Sequence, residues 1–97
     1  QDPARETATL AAPDEVAERH YVRMQVMDQP GALANVAASF AERSISIEQL
    51  LQLRSDETGD STLIILTHPG PMRQVHAAAT AALAARDIMV LPVLEVF

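Results

Sequence analysis

Two hydrophobic periodicities alternate along the chain from residue 20 onward, and their order limits the folds open to it. In residues 20–27, Val22, Met24 and Val26 alternate with more polar neighbours, which is the pattern of a half-buried strand. Residues 31–43 carry apolar side chains at helical spacing instead. They predict a helix whose apolar stripe consists of Leu33, Val36, Ala37, Phe40 and Ala41.

The same alternation continues through the second half of the chain. Residues 45–55 predict a second strand that is bulged near Gln49 or Leu50. Its expected first face is made of Ile45, Ile47, Gln49, Leu51 and Leu53. Residues 56–61 predict a turn, and the almost wholly apolar residues 61–68 predict a central third strand.

A second helix and a last strand complete the pattern. Pro71 suits the first turn of a helix, where its missing N–H costs nothing. The predicted stripe of this helix consists of Met72, Val75, Ala79, Ala82 and Leu83. Residues 87–97 predict a strand, and Pro92 places it at a sheet edge because proline cannot donate to a neighbouring strand on both sides.

The order strand-helix-strand-strand-helix-strand predicts an α+β, ferredoxin-like βαββαβ sandwich. Its four-stranded antiparallel sheet would have the strand order 4-1-3-2, with two helices on one face. This order makes the third strand central and the fourth an edge, in agreement with residues 61–68 and Pro92. Residues 1–19 predict a partly disordered linker with one helical turn at 14–19, ahead of a domain at 20–97.

Composition excludes several classes of function. A net charge of −6, with only seven scattered arginines as basic residues, argues against nucleic acid as a partner. No apolar run approaches the roughly 18 residues of a membrane span, so no membrane partner is predicted. Cysteine is absent, which excludes thiolate chemistry and suits the cytoplasm. Because the chain begins with Gln1, we expect it to be a fragment of a longer protein or a processed chain.

The junction between the first strand and the first helix carries Asp28, Pro30 and Gly31 together. Turn chemistry alone explains such residues, since Asp can cap a helix, Pro can begin it and Gly allows the chain to bend. A binding loop for an amino acid also explains them. The carboxylate of Asp28 could accept hydrogen bonds from the ammonium group of the amino acid. Gly31 allows the ligand to approach the backbone closely, and a helix N-terminus attracts the ligand carboxylate.

Residues 20–52, which contain Asp-Gln-Pro-Gly-Ala-Leu followed by Ile-Ser-Ile-Glu-Gln-Leu-Leu-Gln, resemble the first half of an ACT domain. The later segment Ser-Thr-Leu-Ile-Ile-Leu-Thr-His-Pro resembles the C-terminal ACT domain of homoserine dehydrogenases. The resemblance implies a regulatory domain without catalytic residues. It also implies threonine as the feedback effector, and a parent enzyme whose NAD(P) cofactor binds only in its catalytic domain. That catalytic domain would lie upstream, with residues 1–19 as the linker from it.

The resemblance further implies a homodimer joined through the second strand, residues 45–54, with the effector site at the seam. The implied site residues are Asp28, Gln29, Pro30, Gly31, Ala32 and Leu33 of one copy, with Ser46 and Ile47 of the other. Gln29 stands where the family often has Arg. Ser44 stands where a glycine often ends the first helix, so we expect mild backbone strain there.

Two alternatives compete with a sensing role. A dimerisation module could retain the same fold with a vestigial, non-binding pocket. A small enzyme could use Asp28 or His68 as acid or base, but the sequence offers no pair of nucleophile and base. His20 and His68 could lie at one sheet edge, yet no carboxylate recurs at ligand spacing. We therefore predict no metal site and no cofactor in this chain.

Overall fold

The computed structural model describes residues 17–55 and 57–94. Its strands are β1 (Ala17–Glu18), β2 (His20–Met27), β3 (Ile47–Arg54), β4 (Asp60–Thr67), β5 (Gly70–Pro71) and β6 (Ala85–Pro92). Its helices are α1 (Ala32–Glu42) and α2 (Met72–Ala81).

Strands β3, β4, β2 and β6 form one antiparallel sheet in that order. This is the predicted order 4-1-3-2, read from the opposite edge. Strand β6 lies at an edge, with Pro92 opposite His20, so the missing N–H of the proline faces no further strand. The ferredoxin-like fold is confirmed.

The two short strands β1 and β5 form a separate two-stranded sheet. Ala17 pairs with Pro71, and Glu18 pairs with Gly70. The helical turn predicted for residues 14–19 is therefore wrong at 17 and 18, because their backbone pairs with β5. The rest of the predicted linker, residues 1–16, lies outside the described residues.

The core lies between one face of the sheet and the two helices. Strands β2 and β4 alternate buried and more exposed residues along their length. The largest buried apolar side chains are Phe40, Met24, Leu63 and Ile65, each at most 1% exposed. Burial of one such side chain contributes about 1.5–3 kcal/mol, so this layer supplies most of the stability of a small domain.

The apolar stripe predicted for helix α1 is confirmed at Val36 and Phe40 but wrong at its other positions. The buried residues of the helix are Ala32, Val36, Ser39 and Phe40. Ser39 can take a core position because its hydroxyl donates to the backbone oxygen of Ala78, 2.6 Å away. The helix is rotated accordingly, and the remaining apolar residues of the predicted stripe, Leu33, Ala37 and Ala41, are exposed.

The prediction for the second helix is wrong at its last position. Val75, Ala78 and Ala79 are buried along α2, and Ala82 is buried just beyond it. The helix ends at Ala81, however, and the chain turns there. Leu83 consequently leaves the helical period and is 92% exposed.

A bulge near the start of β3 reverses the faces of the strand. Ile47 pairs with Thr67, but Gln49 already pairs with Leu66, so Glu48 is the extra residue. The predicted bulge is confirmed, slightly earlier than expected. Residues directly opposite each other share a face, so the faces predicted for the strand are wrong beyond Ile47. Leu51 and Leu53 lie on the face of the sheet away from the helices.

Candidate functional site

The loop from Asp28 to Gly31 connects β2 to α1 and is fixed by its backbone. The N–H of Asp28 donates to the carbonyl of Gly59 in the β3–β4 turn, at 3.0 Å. The N–H of Ala32 donates to Gln29 at 3.2 Å. The first bond holds the loop against the neighbouring hairpin, and the second closes the turn within the loop.

Gly31 begins the helix in a conformation that other residues adopt at a cost. Its φ is +88°, in the left-handed region that favours glycine. No other atom lies within 4 Å of the position that a Cβ would take, so the space above this backbone is open. No side chain in the described ranges caps the first turn of α1, which leaves N–H groups there available to an anion.

Asp28 does not act as a helix cap in this turn. Its Oδ2 instead lies 3.2 Å from Nε of Arg54, at the end of β3. The two side chains are 35% and 67% exposed, so the ion pair contributes about 0.2–1 kcal/mol. Turn chemistry therefore accounts for Pro30 and Gly31 but not for the carboxylate of Asp28, which pairs with Arg54 and not with the helix.

A concave pocket of about 360 Å³ opens between this loop and the end of β3. That volume is at the lower end of the range for small-molecule sites. Six of the eight predicted site residues line it, namely Asp28, Gln29, Pro30, Gly31, Ala32 and Leu33. Val26, Met27, Gln52 and Arg54 line it as well.

Sequence reasoning missed Gln52 and Arg54. The amide Nε2 of Gln52 donates to Ser61 at 3.1 Å, which holds the side chain at the pocket wall. The signal for both residues was present in the predicted topology. Strands β2 and β3 are each antiparallel to β4 and thus run in the same direction. Their C-terminal ends therefore lie at the same end of the sheet.

Ser46 and Ile47 lie at the other end of β3. They line a second hollow together with Ala37, Ala41, Ser44 and Ile45. Within one chain the structure does not bring them to the loop that begins at Asp28. They could contribute to the same site only from a second copy of the chain.

The histidines do not form a site in the described part of the chain. The ring of His20 is fully buried, and neither of its nitrogens has a hydrogen-bond partner there. Burial lowers its pKa below 6.5, against the opposing charge of Glu18. His68 is exposed. No group of three or more His, Cys, Asp or Glu within 17–55 and 57–94 could hold a metal ion.

Comparison with known proteins identifies the family. The ACT domain family model matches residues 20–86. This range includes the loop, the pocket, strands β2, β3 and β4, and the first two residues of β6. The chain belongs to the ACT domain family. Neither helix in the described ranges of this ACT domain is long and apolar enough to cross a membrane.

Homoserine dehydrogenases are among the relatives of this ACT domain. It is 34% identical over 85 residues to the enzyme of Neisseria gonorrhoeae, covering 88% of this chain and 19% of the relative. The crystal structure of the Thiobacillus denitrificans enzyme superposes with a TM-score of 0.70 and 27% identity, over 84% and 19% of the two chains. The chain thus spans about a fifth of these relatives.

The fold also occurs in an isolated ACT domain from GTP pyrophosphokinase of Chlorobium tepidum. The TM-score is 0.61 at 9% identity, over 77% of this chain and 99% of the other. At that identity the likeness concerns the fold alone. The predicted ACT resemblance and the relation to homoserine dehydrogenases are both confirmed.

Proposed function

We propose that this ACT domain is an amino-acid-binding regulatory module and that its ligand occupies the pocket between the loop and β3. The observation that carries the proposal is the carboxylate of Asp28, which faces a pocket and takes no part in capping the helix. We further propose that the parent protein is an NAD(P)-dependent homoserine dehydrogenase, inhibited when the domain binds threonine. The names of the relatives support this parent, and a cytoplasmic location stays a prediction.

The pocket matches the chemistry of a free amino acid. Asp28 supplies a negative group for the ammonium. The uncapped first turn of α1 supplies backbone N–H groups and a positive helix end for the carboxylate. The open space above Gly31 admits the ligand to that backbone. A hydroxyl on the ligand side chain, such as that of threonine, would find an acceptor in the amide oxygen of Gln52.

A second copy of the chain is the proposed partner along β3. This strand is an unpaired edge of the sheet, and Leu51 and Leu53 on it are 52% and 49% exposed. Leu33, Ala37 and Ala41 are also exposed, at a spacing that places them on one side of α1. We call these three residues the α1 flank. An edge strand beside an exposed apolar flank is a surface that a second copy can cover.

The two hollows lie at opposite ends of β3, and the α1 flank connects them. Leu33 lines the pocket at the loop, while Ala37 and Ala41 line the hollow beside Ser46 and Ile47. Two β3 strands that pair across a twofold axis perpendicular to the sheet run antiparallel, so the start of one would lie near the end of the other. This arrangement would bring Ser46 and Ile47 of the second copy to the pocket of the first.

Titration calorimetry of the 97-residue chain with each of the twenty amino acids tests the proposal. We expect heat with threonine, and at least a tenfold weaker affinity in Asp28→Asn because the ammonium loses its counter-ion. Glu42→Gln is the matched control, since it removes an exposed carboxylate at the far end of α1. An absence of heat with every amino acid would contradict the sensing function.

A dimerisation module with a vestigial pocket is the second candidate. The exposed α1 flank and the unpaired β3 edge favour it independently of the pocket. The two candidates differ in one combination of results. A chain that sediments as a dimer and binds no amino acid is a dimerisation module, whereas a sensing module binds its ligand with or without a change in mass.

A further inference from the structure

We propose that the ion pair between Asp28 and Arg54 is a pair of counter-ions that an amino-acid zwitterion exchanges for its own charges. The ligand ammonium replaces the guanidinium at Asp28, and the ligand carboxylate binds the guanidinium of Arg54. This inference rests on the proposed function and names the ligand class, which is a free α-amino acid carrying both charges. No covalent bond is made or broken in the exchange.

The geometry of the pair leaves most of the guanidinium available. The contact between the two side chains is from Nε of Arg54, at 3.2 Å from Oδ2 of Asp28, and Arg54 is 67% exposed. Among the described residues, Asp28 is the only ion-pair partner of Arg54. A guanidinium has five donors and binds a carboxylate best through two parallel N–H groups. A ligand carboxylate can therefore offer Arg54 a better contact than Asp28 does.

Both charged residues are held at the pocket by regular structure. Asp28 follows β2 directly and is fixed through its N–H to Gly59. Arg54 is the last residue of β3 and pairs with Ser61 of β4. An α-amino acid carries its ammonium and carboxylate on one carbon, so the ligand can meet two such neighbouring charges at once. The pocket thus selects for both charges together.

A purely structural ion pair is the competing explanation. In that case Arg54 would tie β3 to the loop, and its removal would lower stability without changing which ligand groups are recognised. The exchange makes a different prediction, because Asp28 binds the ligand ammonium and Arg54 binds the ligand carboxylate. Ligand derivatives that lack one charge separate the two explanations.

The test compares threonine with threoninamide, which lacks the carboxylate, and with N-acetylthreonine, which lacks the ammonium. Titration calorimetry of the wild-type chain should give threonine at least a tenfold advantage over each derivative. In Arg54→Ala the advantage over threoninamide should fall to the part that the N–H groups of the first turn of α1 supply, and Arg54→Lys should restore part of the loss. In Asp28→Asn the advantage over N-acetylthreonine should disappear instead.

Arg23→Ala is the matched control, because it removes an exposed arginine from β2, on the face of the sheet away from the helices. It should keep the full wild-type preference. If wild-type chain binds threonine and Arg54→Ala keeps the full advantage over threoninamide, the exchange is wrong and the proposed function stands. If wild-type chain binds neither threonine nor any other amino acid, the proposed function and the exchange are both overturned.

Discussion

At the scale of single residues, His20 is the least expected feature of the core. Its imidazole is fully buried, and its ring nitrogens have no partner of good hydrogen-bond geometry among the described residues, although the backbone and charge of Glu18 lie near enough to act on its pKa. The backbone N–H of His20 donates to Oγ1 of Thr67 at 2.9 Å. A polar ring without partners is costly to bury, and the cost is larger for its charged form. The domain therefore holds His20 neutral, which links its stability to pH.

Stability should fall as the solution is acidified through the range where His20 protonates. Burial lowers the pKa of His20 in the folded state below the 6.5 of the unfolded chain, despite the charge of Glu18. The stability contributed by the neutral ring is thus present above pH 6.5 and is lost as pH falls through the folded pKa. Urea unfolding of wild-type chain at pH 7.5 and at pH 5.5 measures this loss.

Two variants isolate the contribution of the buried ring. His20→Leu should lose less stability than wild-type chain between the two pH values, because an apolar side chain replaces the group that must charge. His76→Leu removes an exposed imidazole from α2 and should behave as wild-type chain does. Equal losses in wild-type chain and in His20→Leu would show that His20 does not set the acid sensitivity.

At the scale of elements, the C-terminal end of α1 carries the backbone strain that the sequence predicts. Ser44 has a φ of +58°, in the left-handed region. Its N–H and that of Ile45 donate to the last carbonyls of the helix, at 2.9 and 3.0 Å. The chain accepts the strained φ because this geometry satisfies those carbonyls and directs residues 45–47 into β3.

Ser44→Gly should stabilise the domain by up to about 1.5 kcal/mol. Relief of the steric cost is worth about 1–2 kcal/mol, and the greater freedom of glycine in the unfolded chain offsets about 0.5–1 kcal/mol of it. A higher midpoint in urea with an unchanged m-value would show the gain. Ser46→Gly is the control, since Ser46 does not have a positive φ, and this variant should be neutral or less stable.

At the scale of the whole molecule, the two edges of the sheet differ in what surrounds them. Strand β6 ends in Pro92, which cannot donate to another strand. Strand β3 is bordered by the α1 flank and by a hollow at each end. Assembly through β3 would therefore cover apolar surface and complete the pocket, whereas assembly through β6 would leave both exposed.

A lysine on β3 should separate the proposed dimer. Leu51 and Leu91 lie at opposite edges of the same sheet face and are similarly exposed, at 52% and 47%. Leu51→Lys places a charge on the proposed interface and should weaken association at least tenfold, or about 1.4 kcal/mol. Analytical ultracentrifugation over a range of concentrations measures this shift.

Leu91→Lys is the matched control for that experiment, because it adds the same charge at the other edge. It should leave the association constant unchanged. If Leu91→Lys dissociates the dimer and Leu51→Lys does not, the copies meet through β6 and not through β3. Ser46 and Ile47 would then have no route to the pocket of a second copy.

The sequence determined the element order, the strand order, the edge position of Pro92 and six of the residues that line the pocket. The element order, the strand order and the edge position follow from local signals, namely hydrophobic periods and turn residues, whereas the six pocket residues follow from the resemblance to ACT domains. The fold then leaves few alternatives, because chain connections obey a fixed handedness.

Only the tertiary structure decided how the elements face one another. The face that α1 buries depends on the hydrogen bond from Ser39 to Ala78, and the facing of β3 depends on how it pairs with β4 beyond the bulge. The partner of Asp28 is Arg54, which lies far from it along the chain. The two residues meet because β2 and β3 run in the same direction on either side of β4 and end at the same end of the sheet. Local periodicity cannot encode such contacts, because they arise from pairing between distant segments.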